Sequence, residues 1–361
     1  MGKKRALVFG YFEKNLGDDL MLELFLQRGN YAKSYIFARK ANKKFYRAMG
    51  ARVICYDGFF YRVINKLTRS LTKINAFYLL ARRNTDFVML GGSLFAEQEQ
   101  SATQQQLRNL SYAVKHADAA YVIGSNFGPY HSPDFLEQYK ALFAHCRDVC
   151  FRDEMSWEFF RHLPTARFAP DVVFSGEWSS ADQMPADDEN AYVLVSLIDI
   201  SIRPTLREHA ARYEKFIFDV CYGHLAKGDK VILLSMCDKE GDSNICQRIF
   251  MGIDSLYRPL ISVQNYNNIP QMLRLFRAAK AVYATRFHAM ILGAYFAKHT
   301  IAVAYNEKVI QAVYTYGLDV VLLQMDDLRF TTEMLNSRAP ASVEIQKLQR
   351  DAAEQWNMLG S

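Results

Sequence analysis

The sequence predicts an α/β protein built from two doubly wound domains that face each other across a cleft. Short apolar runs alternate with longer amphipathic segments along both halves of the 361-residue chain. This alternation is typical of βαβ units, and therefore of parallel sheets covered by helices. A polar, acidic stretch at 176–190 separates the two halves, and it predicts an interdomain linker.

The first predicted domain comprises residues 1–175. Its strand candidates are Arg5–Phe9, Arg52–Cys55, Phe87–Leu90, Ala120–Ile123, Val149–Phe151 and Arg167–Phe168. Its helix candidates are Asp18–Arg28, Gln98–His116 and Pro133–His145. Ligands of open α/β sheets bind beyond the carboxyl ends of the strands, so we expect a site in the loops that follow these strands.

The second predicted domain, 191–335, repeats the pattern. Its strand candidates are Tyr192–Leu197, Val231–Ser235, Ser262–Val263, Ala281–Ala284 and Ile301–Ala304. Its helix candidates are Arg207–Leu225, Ile269–Ala279 and His288–Ala297. The remaining residues, 336–361, contain a polar-rich helix candidate at Ala341–Met358, which we expect to pack back on the first domain.

Composition narrows the classes of partner. The chain carries 44 Lys and Arg against 38 Asp and Glu, for a net charge of +6. Ordinary surface charge is sufficient to explain this net positive charge. The more specific alternative is that the protein binds an anionic substrate or an anionic membrane surface. The basic residues are scattered and form no nucleic-acid-binding motif, so nucleic acid is not an expected partner. The 6 cysteines form no CxxC pair and complete no zinc spacing, which predicts no metal site and favours a reducing compartment.

Basic and aromatic residues are dense between Lys40 and Arg83. One interpretation is a basic amphipathic helix that lies on a bilayer. The other is a solvated helix packed on its own core, which is the commoner case and the preferred interpretation. No apolar run is long enough to span a membrane, and the N-terminal apolar run is too short for a signal peptide. We therefore expect a cytoplasmic protein, with peripheral association at the inner face of the membrane as a further option.

The strongest candidate site is Arg286-Phe287-His288, between a strand candidate and a helix candidate. Arg binds carboxylate or phosphate as a fork, and His is the usual proton carrier near neutral pH. The pair therefore suggests an enzyme that binds an anion and moves a proton beside it. A core histidine with a structural arginine is the competing interpretation.

Three loops of the first domain follow strand candidates and contain glycine. In Asn15-Leu-Gly-Asp-Asp19, Gly17 would permit a tight turn, one aspartate would cap the helix, and the other, with Asn15, could hydrogen-bond sugar hydroxyls. Gly91-Gly92-Ser93 and Gly124–Gly128 would let a ligand approach the backbone closely, although a plain glycine turn is the alternative.

Charged residues follow other strand candidates. Arg152 should have a partner, and Asp153 would either cap the next helix or pair with Arg152. Asp171 would face the predicted cleft, and a structural ion pair with Arg152 is the competing interpretation. Lys308 could add a second cation near Arg286, since Asn306 and Glu307 are explained by the start of a helix.

Taken in order, these loops resemble the polysaccharide pyruvyl transferase family. The matching residues are Asn15-Leu-Gly-Asp18, Gly91-Gly92-Ser-Leu-Phe95, Gly124 with Gly128-Pro129, Arg152-Asp153 with Ser156, Ala169-Pro170-Asp171, Arg286-Phe-His288-Ala289 and Glu307-Lys308. The fold of this family is similar to the B-type glycosyltransferase fold, with two facing Rossmann-like domains.

The resemblance implies transfer of a pyruvyl group from phosphoenolpyruvate to two hydroxyls of a sugar, with formation of a cyclic ketal and release of phosphate. The acceptor would be a cell-surface polysaccharide or its lipid-linked precursor. Phosphoenolpyruvate is then the donor substrate, and no cofactor and no metal are expected. Arg152, Arg286 and Lys308 would bind the donor's anionic groups, and His288 would act as general acid or as a donor to the leaving phosphate.

The same resemblance assigns the acceptor to the first domain. The implied acceptor-binding residues are Asn15, Asp18, Gly91, Gly92, Ser93 and Asn126. Asp171 would orient an arginine or serve as the base for a sugar hydroxyl. Two alternatives stay open: a nucleotide-sugar-dependent glycosyltransferase of the same fold, and a non-catalytic glycan-binding protein.

Overall fold

The computed structural model describes residues 4–178, 192–335 and 342–359, which form two compact units. The described residues of the first unit fall within 1–13, 18–175 and 350–361. Those of the second unit fall within 14–17 and 176–349. Most of the predicted linker, 179–190, lies outside the described residues, as does 336–341 of the C-terminal segment.

The first unit contains a seven-stranded parallel sheet in the order β3-β2-β1-β4-β5-β6-β7. Its strands are β1 (Arg5–Phe9), β2 (Lys33–Ala38), β3 (Arg52–Cys55), β4 (Thr85–Leu90), β5 (Ala119–Ser125), β6 (Asp148–Phe151) and β7 (Ala166–Phe168). In register, Leu7 pairs with Tyr35 of β2 and Phe87 of β4. The strand order reverses between β1 and β4, and such switch points are where doubly wound sheets bind ligands.

Helices cover this sheet. They are α1 (Leu16–Arg28), α2 (Lys43–Ala48), α3 (Phe59–Thr72), α4 (Gln100–His116), α5 (Pro133–Phe143) and α6 (Glu154–Phe160). Every residue of β4 and β5 is buried, as expected for central strands with helices on both faces.

The second unit contains a six-stranded parallel sheet in the order β10-β9-β8-β11-β12-β13. Its strands are β8 (Tyr192–Ser196), β9 (Val231–Ser235), β10 (Ile261–Asn265), β11 (Ala279–Ala284), β12 (His299–Ala304) and β13 (Val321–Gln324). Its helices are α7 (Ala210–Leu225), α8 (Asp242–Gly252), α9 (Ile269–Ala278), α10 (Phe287–Tyr295) and α11 (Glu307–Tyr316). The order reverses between β8 and β11, so the loops after these two strands flank the switch point.

The end of the chain packs on the first unit after α12 (Ser342–Ala353). The Gln355 amide donates to the carbonyls of Ala169, at 2.7 Å, and Phe151, at 3.2 Å, and its Oε1 accepts the Gly124 N–H at 2.9 Å. Trp356 donates to Ser175 Oγ at 3.0 Å. The buried Gln355 side chain thus forms hydrogen bonds at the carboxyl ends of β5, β6 and β7.

The predicted fold class, two parallel α/β sheets, is confirmed. Strands β1, β3 and β9 have the predicted bounds. Strands β2 and β13 were not predicted, although each contains an apolar run of four residues, at 35–38 and 320–323. In β13 no residue is fully buried, and in β2 burial alternates.

The basic stretch contains the helix α3. Its Tyr61 side chain packs against the core of the first unit, as the preferred interpretation predicts, but none of its side chains is fully buried and its large apolar side chains are exposed. Over the three described ranges, no helix is both long enough and apolar enough to cross a bilayer.

Candidate active site

The carboxyl edge of the first sheet gathers polar side chains around the Arg152 guanidinium. Arg152 directly follows β6 and is buried. Its Nη1 donates to Asp171 Oδ2 at 3.0 Å, and its Nη2 donates to Asn126 Oδ1 at 2.8 Å. Asp171 is fully buried, and its Oδ1 accepts the Val173 N–H at 3.0 Å. One carboxylate and one amide oxygen therefore hold the two arms of this arginine.

The two glycine-containing loops predicted from the sequence meet at this arginine. Gly91 has φ 129°, a left-handed value that favours glycine. Gly92 is needed for space, because a methyl group there would lie 2.9 Å from Arg152 Nη1. Ser93 Oγ donates to Asn126 Oδ1 at 3.1 Å, the same oxygen that accepts from Arg152. The structure thus brings Gly92, Ser93, Asn126, Arg152 and Asp171 together.

The start of α1 corrects one expectation. Asp18 and Asp19 lie in the first turn of the helix, so neither caps it. Asn15 precedes the helix, and its Oδ1 accepts the Gly17 N–H at 3.3 Å. Asp19 is buried and accepts the Tyr46 hydroxyl at 2.8 Å. Asp18 is half-buried, and a methyl group on Gly91 would lie 3.1 Å from its Oδ1. Asp18 therefore lies beside the glycine loop that follows β4.

Asp153 caps α6, which confirms one of its two predicted roles. Its Oδ1 accepts the Ser156 N–H at 2.8 Å, and its Oδ2 accepts the Ser156 hydroxyl at 2.8 Å. Ser156 Oγ in turn accepts the Phe127 N–H at 2.7 Å. The cap therefore also fixes the loop that carries Asn126.

In the second unit, Arg286 directly follows the end of β11 and is engaged by two carboxylates. Its Nε donates to Asp242 Oδ2 at 2.8 Å, its Nη2 donates to Asp242 Oδ1, and its Nη1 donates to Glu240 Oε2 at 2.7 Å. Burial disfavours the charged guanidinium, but Asp242 and then Glu240 outweigh it and raise the pKa of Arg286. This arginine is a fixed cation.

Glu240 is shared between two arginines. Its Oε2 also accepts from Arg203 Nη2 at 2.8 Å. Burial alone would raise the pKa of Glu240, but the guanidinium of Arg286 and then that of Arg203 hold the pKa below its usual value. The cluster therefore balances two cations against the carboxylates of Glu240 and Asp242.

The sequence analysis missed Arg203, Glu240 and Asp242. The N–H groups of Met236 and Cys237 both donate to Asp242 Oδ2, at 3.1 and 2.9 Å, so this carboxylate also fixes the loop after β9. The sequence does contain an indication of these partners, because an acidic run follows the apolar stretch 231–235. Acidic residues at the carboxyl end of that strand lie at the same edge of the sheet as Arg286.

His288 lies in the first turn of α10 and packs directly on Gly17, which belongs to the same unit. A methyl group on Gly17 would lie 1.8 Å from His288 Nδ1. Gly17 lies within α1 and its φ is not left-handed, so the predicted tight turn is wrong, and room for the imidazole is the reason for glycine. Leu16 N–H donates to the Met236 carbonyl at 3.2 Å, which ties the Gly17 segment to the loop after β9.

Lys308 lies half-buried in the first turn of α11. Its helix follows β12, the neighbour of β11, so Lys308 and Arg286 lie at the same edge of the sheet. Asn306 occupies the N-cap position but makes no capping hydrogen bond, so that part of the expectation is wrong.

Within the described ranges, no group of three or more His, Cys, Asp or Glu side chains is placed to hold a metal ion.

The ordered set of loops is matched by one family. The sequence model of the family "Polysaccharide pyruvyl transferase" matches residues 15–307. The chain belongs to this family. The match begins at Asn15 and ends at Glu307, so it includes the clusters around Arg152 and Arg286. The protein is accordingly a transferase of the polysaccharide pyruvyl transferase family, as the sequence predicted.

Solved structures with a similar fold include a glycosyltransferase and an epimerase. Anabaena Alr3699/HepE, solved with UDP and glucose, is 10% identical with a TM-score of 0.53, over 99% of this chain and 95% of that one. The UDP-GlcNAc 2-epimerase of Methanocaldococcus jannaschii is 9% identical with a TM-score of 0.55, over 96% and 98%. The calicheamicin glycosyltransferase CalG4 is 15% identical with a TM-score of 0.51, over 98% and 95%. At these identities the likeness concerns the fold alone.

Proposed function

We propose that the protein transfers the pyruvyl group of phosphoenolpyruvate to two hydroxyls of one sugar in a cell-surface polysaccharide or its lipid-linked precursor. One hydroxyl oxygen adds to the enol carbon while the methylene carbon gains a proton and becomes a methyl group. The second hydroxyl oxygen then displaces phosphate. Of the two hydroxyl protons, one balances the proton gained by the methylene carbon and the other leaves with the phosphate. The product is a cyclic ketal. The family match over 15–307 carries this proposal.

The donor carries a phosphate and a carboxylate, and we assign them to Arg152, Arg286 and Lys308. Arg offers five N–H donors in a planar fork. On Arg286, three donated bonds already go to Asp242 and Glu240, so its contribution to the donor would come from the other two N–H groups. Arg152 is held by the Asp171 carboxylate at 3.0 Å and by the Asn126 amide oxygen at 2.8 Å, and it would bind the donor from this position.

His288 is the group that we assign to proton transfer. It stands in the first turn of α10, directly after the switch-point strand β11. Gly17 lets the backbone contact the imidazole face, which supports a fixed ring orientation. A positioned general acid typically contributes about 10²–10⁴-fold to a rate, and protonation of the methylene carbon is the step that requires one.

For Asp171 we favour the positioning role over the role of base. The carboxylate is fully buried, and its two oxygens accept from Arg152 and from the Val173 N–H. A carboxylate engaged in this way keeps Arg152 oriented. The acceptor would then be bound by Asn15, Asp18, Gly91, Gly92, Ser93 and Asn126.

We also propose that the protein works in the cytoplasm, at the inner face of the membrane, where a lipid-linked sugar would be available. Cys55, Cys146, Cys150, Cys221, Cys237 and Cys246 are free thiols, which supports a reducing compartment.

The test is acceptor-dependent phosphate release. The full chain is incubated with phosphoenolpyruvate and, one at a time, lipid-linked or aryl galactosides, glucosides and mannosamines. Phosphate should appear with at least one sugar and stay at background without acceptor, and mass spectrometry of that sugar should show the added ketal.

The same panel separates the proposal from a nucleotide-sugar glycosyltransferase. No phosphate release with any sugar, together with saturable binding of a nucleotide sugar, would favour that alternative. Such an enzyme needs contacts to a ribose, typically from an acidic residue near a strand end of the second unit. Of the acidic residues after β9, Glu240 and Asp242 are bound to Arg286, which argues against this use of those two.

A further inference from the structure

We infer that α3 is a docking surface for an anionic membrane. Its sequence, from Phe59 to Lys73, contains apolar and basic residues and no Asp or Glu. Six large apolar side chains of this helix are exposed: Phe59 75%, Phe60 81%, Val63 46%, Ile64 52%, Leu67 59% and Leu71 83%. A row of this size on one helix marks an interaction site, because isolated exposed apolar residues are common but contiguous ones are not.

The helix separates its residues into three faces. An α-helix turns about 100° per residue. On this basis the six apolar side chains form one stripe about 140° wide. The second face contains the exposed basic residues Arg62, Lys66, Arg69 and Lys73, on the side of the stripe that carries Phe59. The third face contains Tyr61, Asn65 and Thr68, which are half-buried.

The third face fixes the orientation of the helix. The Tyr61 ring packs against Phe37 with centroids 5.1 Å apart, and its hydroxyl accepts the Phe77 N–H at 3.3 Å. Asn65 Oδ1 accepts the Ala76 N–H at 2.8 Å. A rotation that buried the apolar stripe would break these contacts. The face with Tyr61, Asn65 and Thr68 thus packs on the unit, and the apolar side chains face outward.

The charges identify the occupant as an anionic lipid surface. Interfacial helices place an apolar face in the acyl boundary and basic residues beside it, where each Lys or Arg attracts anionic lipid head groups. With 14 residues and several charges, α3 is too short and too polar to span a bilayer, so it would lie in the plane of the surface. Two further exposed basic residues, Arg82 and Arg83, follow in the same unit.

The experiment is co-sedimentation of the full chain with vesicles of phosphatidylcholine, alone or mixed equally with phosphatidylglycerol, at low and high salt. The apolar variant is Phe60→Ser/Leu67→Ser/Leu71→Ser, and the charge variant is Arg62→Gln/Lys66→Gln/Arg69→Gln. The control is Met251→Ser/Leu256→Ser, which removes apolar side chains that are 67% and 76% exposed in the second unit. Thermal unfolding midpoints verify that all variants fold.

We expect the wild-type chain to bind the anionic vesicles strongly at low salt and the neutral vesicles weakly. The charge variant should bind the anionic vesicles on the order of a hundredfold more weakly, given about tenfold for every 1.4 kcal/mol and about 1 kcal/mol per basic residue at such a surface. The apolar variant should lose binding to both kinds of vesicle, and the control should bind as the wild type does.

Three outcomes would overturn the inference. The wild-type chain could remain in the supernatant with anionic vesicles, or the apolar variant could bind them as the wild type does. Alternatively, the chain could ignore vesicles and self-associate through α3, with the apolar variant monomeric, in which case a second copy covers this face. None of these outcomes depends on the pyruvyl transfer reaction, so vesicle binding and phosphate release fail or succeed separately.

Discussion

Arg152 and Arg286 each follow a buried strand at the carboxyl edge of a parallel sheet, yet their surroundings differ. Arg152 donates to one carboxylate and one amide oxygen. Arg286 donates three times to two carboxylates, one of which also pairs with Arg203. Sequence position alone would give both the same role as anion-binding forks. The partners of Arg286 indicate instead that it is a cation held between two carboxylates and contributes to the fold of its unit.

The glycines near these clusters serve a common purpose. Gly92 lets the backbone approach the Arg152 guanidinium, and Gly17 lets it contact the His288 ring. At both positions the absence of a side chain makes room for a charged or titratable neighbour. The two positions differ in how much space a side chain would have. A methyl group would lie 2.9 Å from a guanidinium nitrogen at Gly92 but 1.8 Å from a ring nitrogen at Gly17, so the clash is more severe at Gly17.

The largest expected effect concerns His288. If the second unit supplies the proton, His288→Ala should lower kcat for phosphate release by about 10²–10⁴-fold while the thermal unfolding midpoint stays close to that of the wild type. The matched variant in the first unit, Ser93→Ala, should raise KM for the sugar by less than about tenfold, since it removes one hydrogen bond of about 1 kcal/mol. Full activity in His288→Ala would exclude proton transfer by this residue, and loss of folding would identify a core histidine.

The contrast between the two arginines is also what the sequence could not reveal. The loops, their order and most of the strands could be predicted because each is a local pattern of apolar runs and glycine. The partners of Arg286 could not, because Glu240 and Asp242 come from the loop after another strand, and only the sheet brings them to the same edge. In the same way, glycine at 17 suggested a turn, whereas its neighbour His288 is distant in sequence.

The outward apolar face of α3 shows a second limit of sequence analysis. The amphipathic pattern predicts a helix with one apolar face, and it is equally compatible with that face inside or outside. The contacts that decide the matter are hydrogen bonds from Phe77 to Tyr61 and from Ala76 to Asn65. Both join the helix to the segment after it, and they involve polar residues that an apolar pattern does not count.

The next largest effect compares lysine substitutions at the two arginines. Lysine cannot reproduce a bidentate fork. Arg286→Lys leaves two buried or half-buried carboxylates poorly paired, and we expect it to lower the free energy of unfolding by about 3–5 kcal/mol. Arg152→Lys disturbs the bonds to Asp171 and Asn126 and should cost about 1–3 kcal/mol, but it should raise KM for phosphoenolpyruvate at least as much as Arg286→Lys does.

Urea unfolding followed by circular dichroism, together with steady-state phosphate release, measures both quantities. Equal losses of stability at the two positions would remove the distinction between a structural and a substrate-binding arginine. A larger KM effect at Arg286 would reverse it.

Alanine at the two glycines sharpens the comparison further. Gly17→Ala should lower kcat/KM by about 10–100-fold, because a displacement of about 1 Å in a catalytic group can cost that much. Alanine in a helix is otherwise favoured by about 1 kcal/mol over glycine, and this offsets part of the cost of displacing the imidazole. Gly92→Ala should lower kcat/KM less, since its methyl group would lie 2.9 Å from a guanidinium nitrogen rather than 1.8 Å from a ring nitrogen. If Gly17→Ala is fully active, the contact between this backbone and His288 is not required for catalysis.

The smallest expected effect tests the charge balance around Arg286 through its pH dependence. Because Arg286 and Arg203 hold the pKa of Glu240 below its ordinary value of 4.5, ionised Glu240 stabilises the fold above that pH, and this contribution is lost as the pH falls through the lowered pKa. Glu240→Gln should therefore cost about 1–2 kcal/mol of unfolding free energy at pH 6–8. The difference from wild type should shrink as the pH falls from 4.5 through the lowered pKa, below which the wild-type carboxylate is also neutral. The control is Glu137→Gln, which removes an exposed ion pair with Lys140 and should cost less than about 1 kcal/mol at any pH.

A Glu240→Gln cost that stays constant down to pH 3 would show that the hydrogen bonds of this side chain, rather than its charge, stabilise the cluster. Arg286 would then be less neutralised than its geometry indicates.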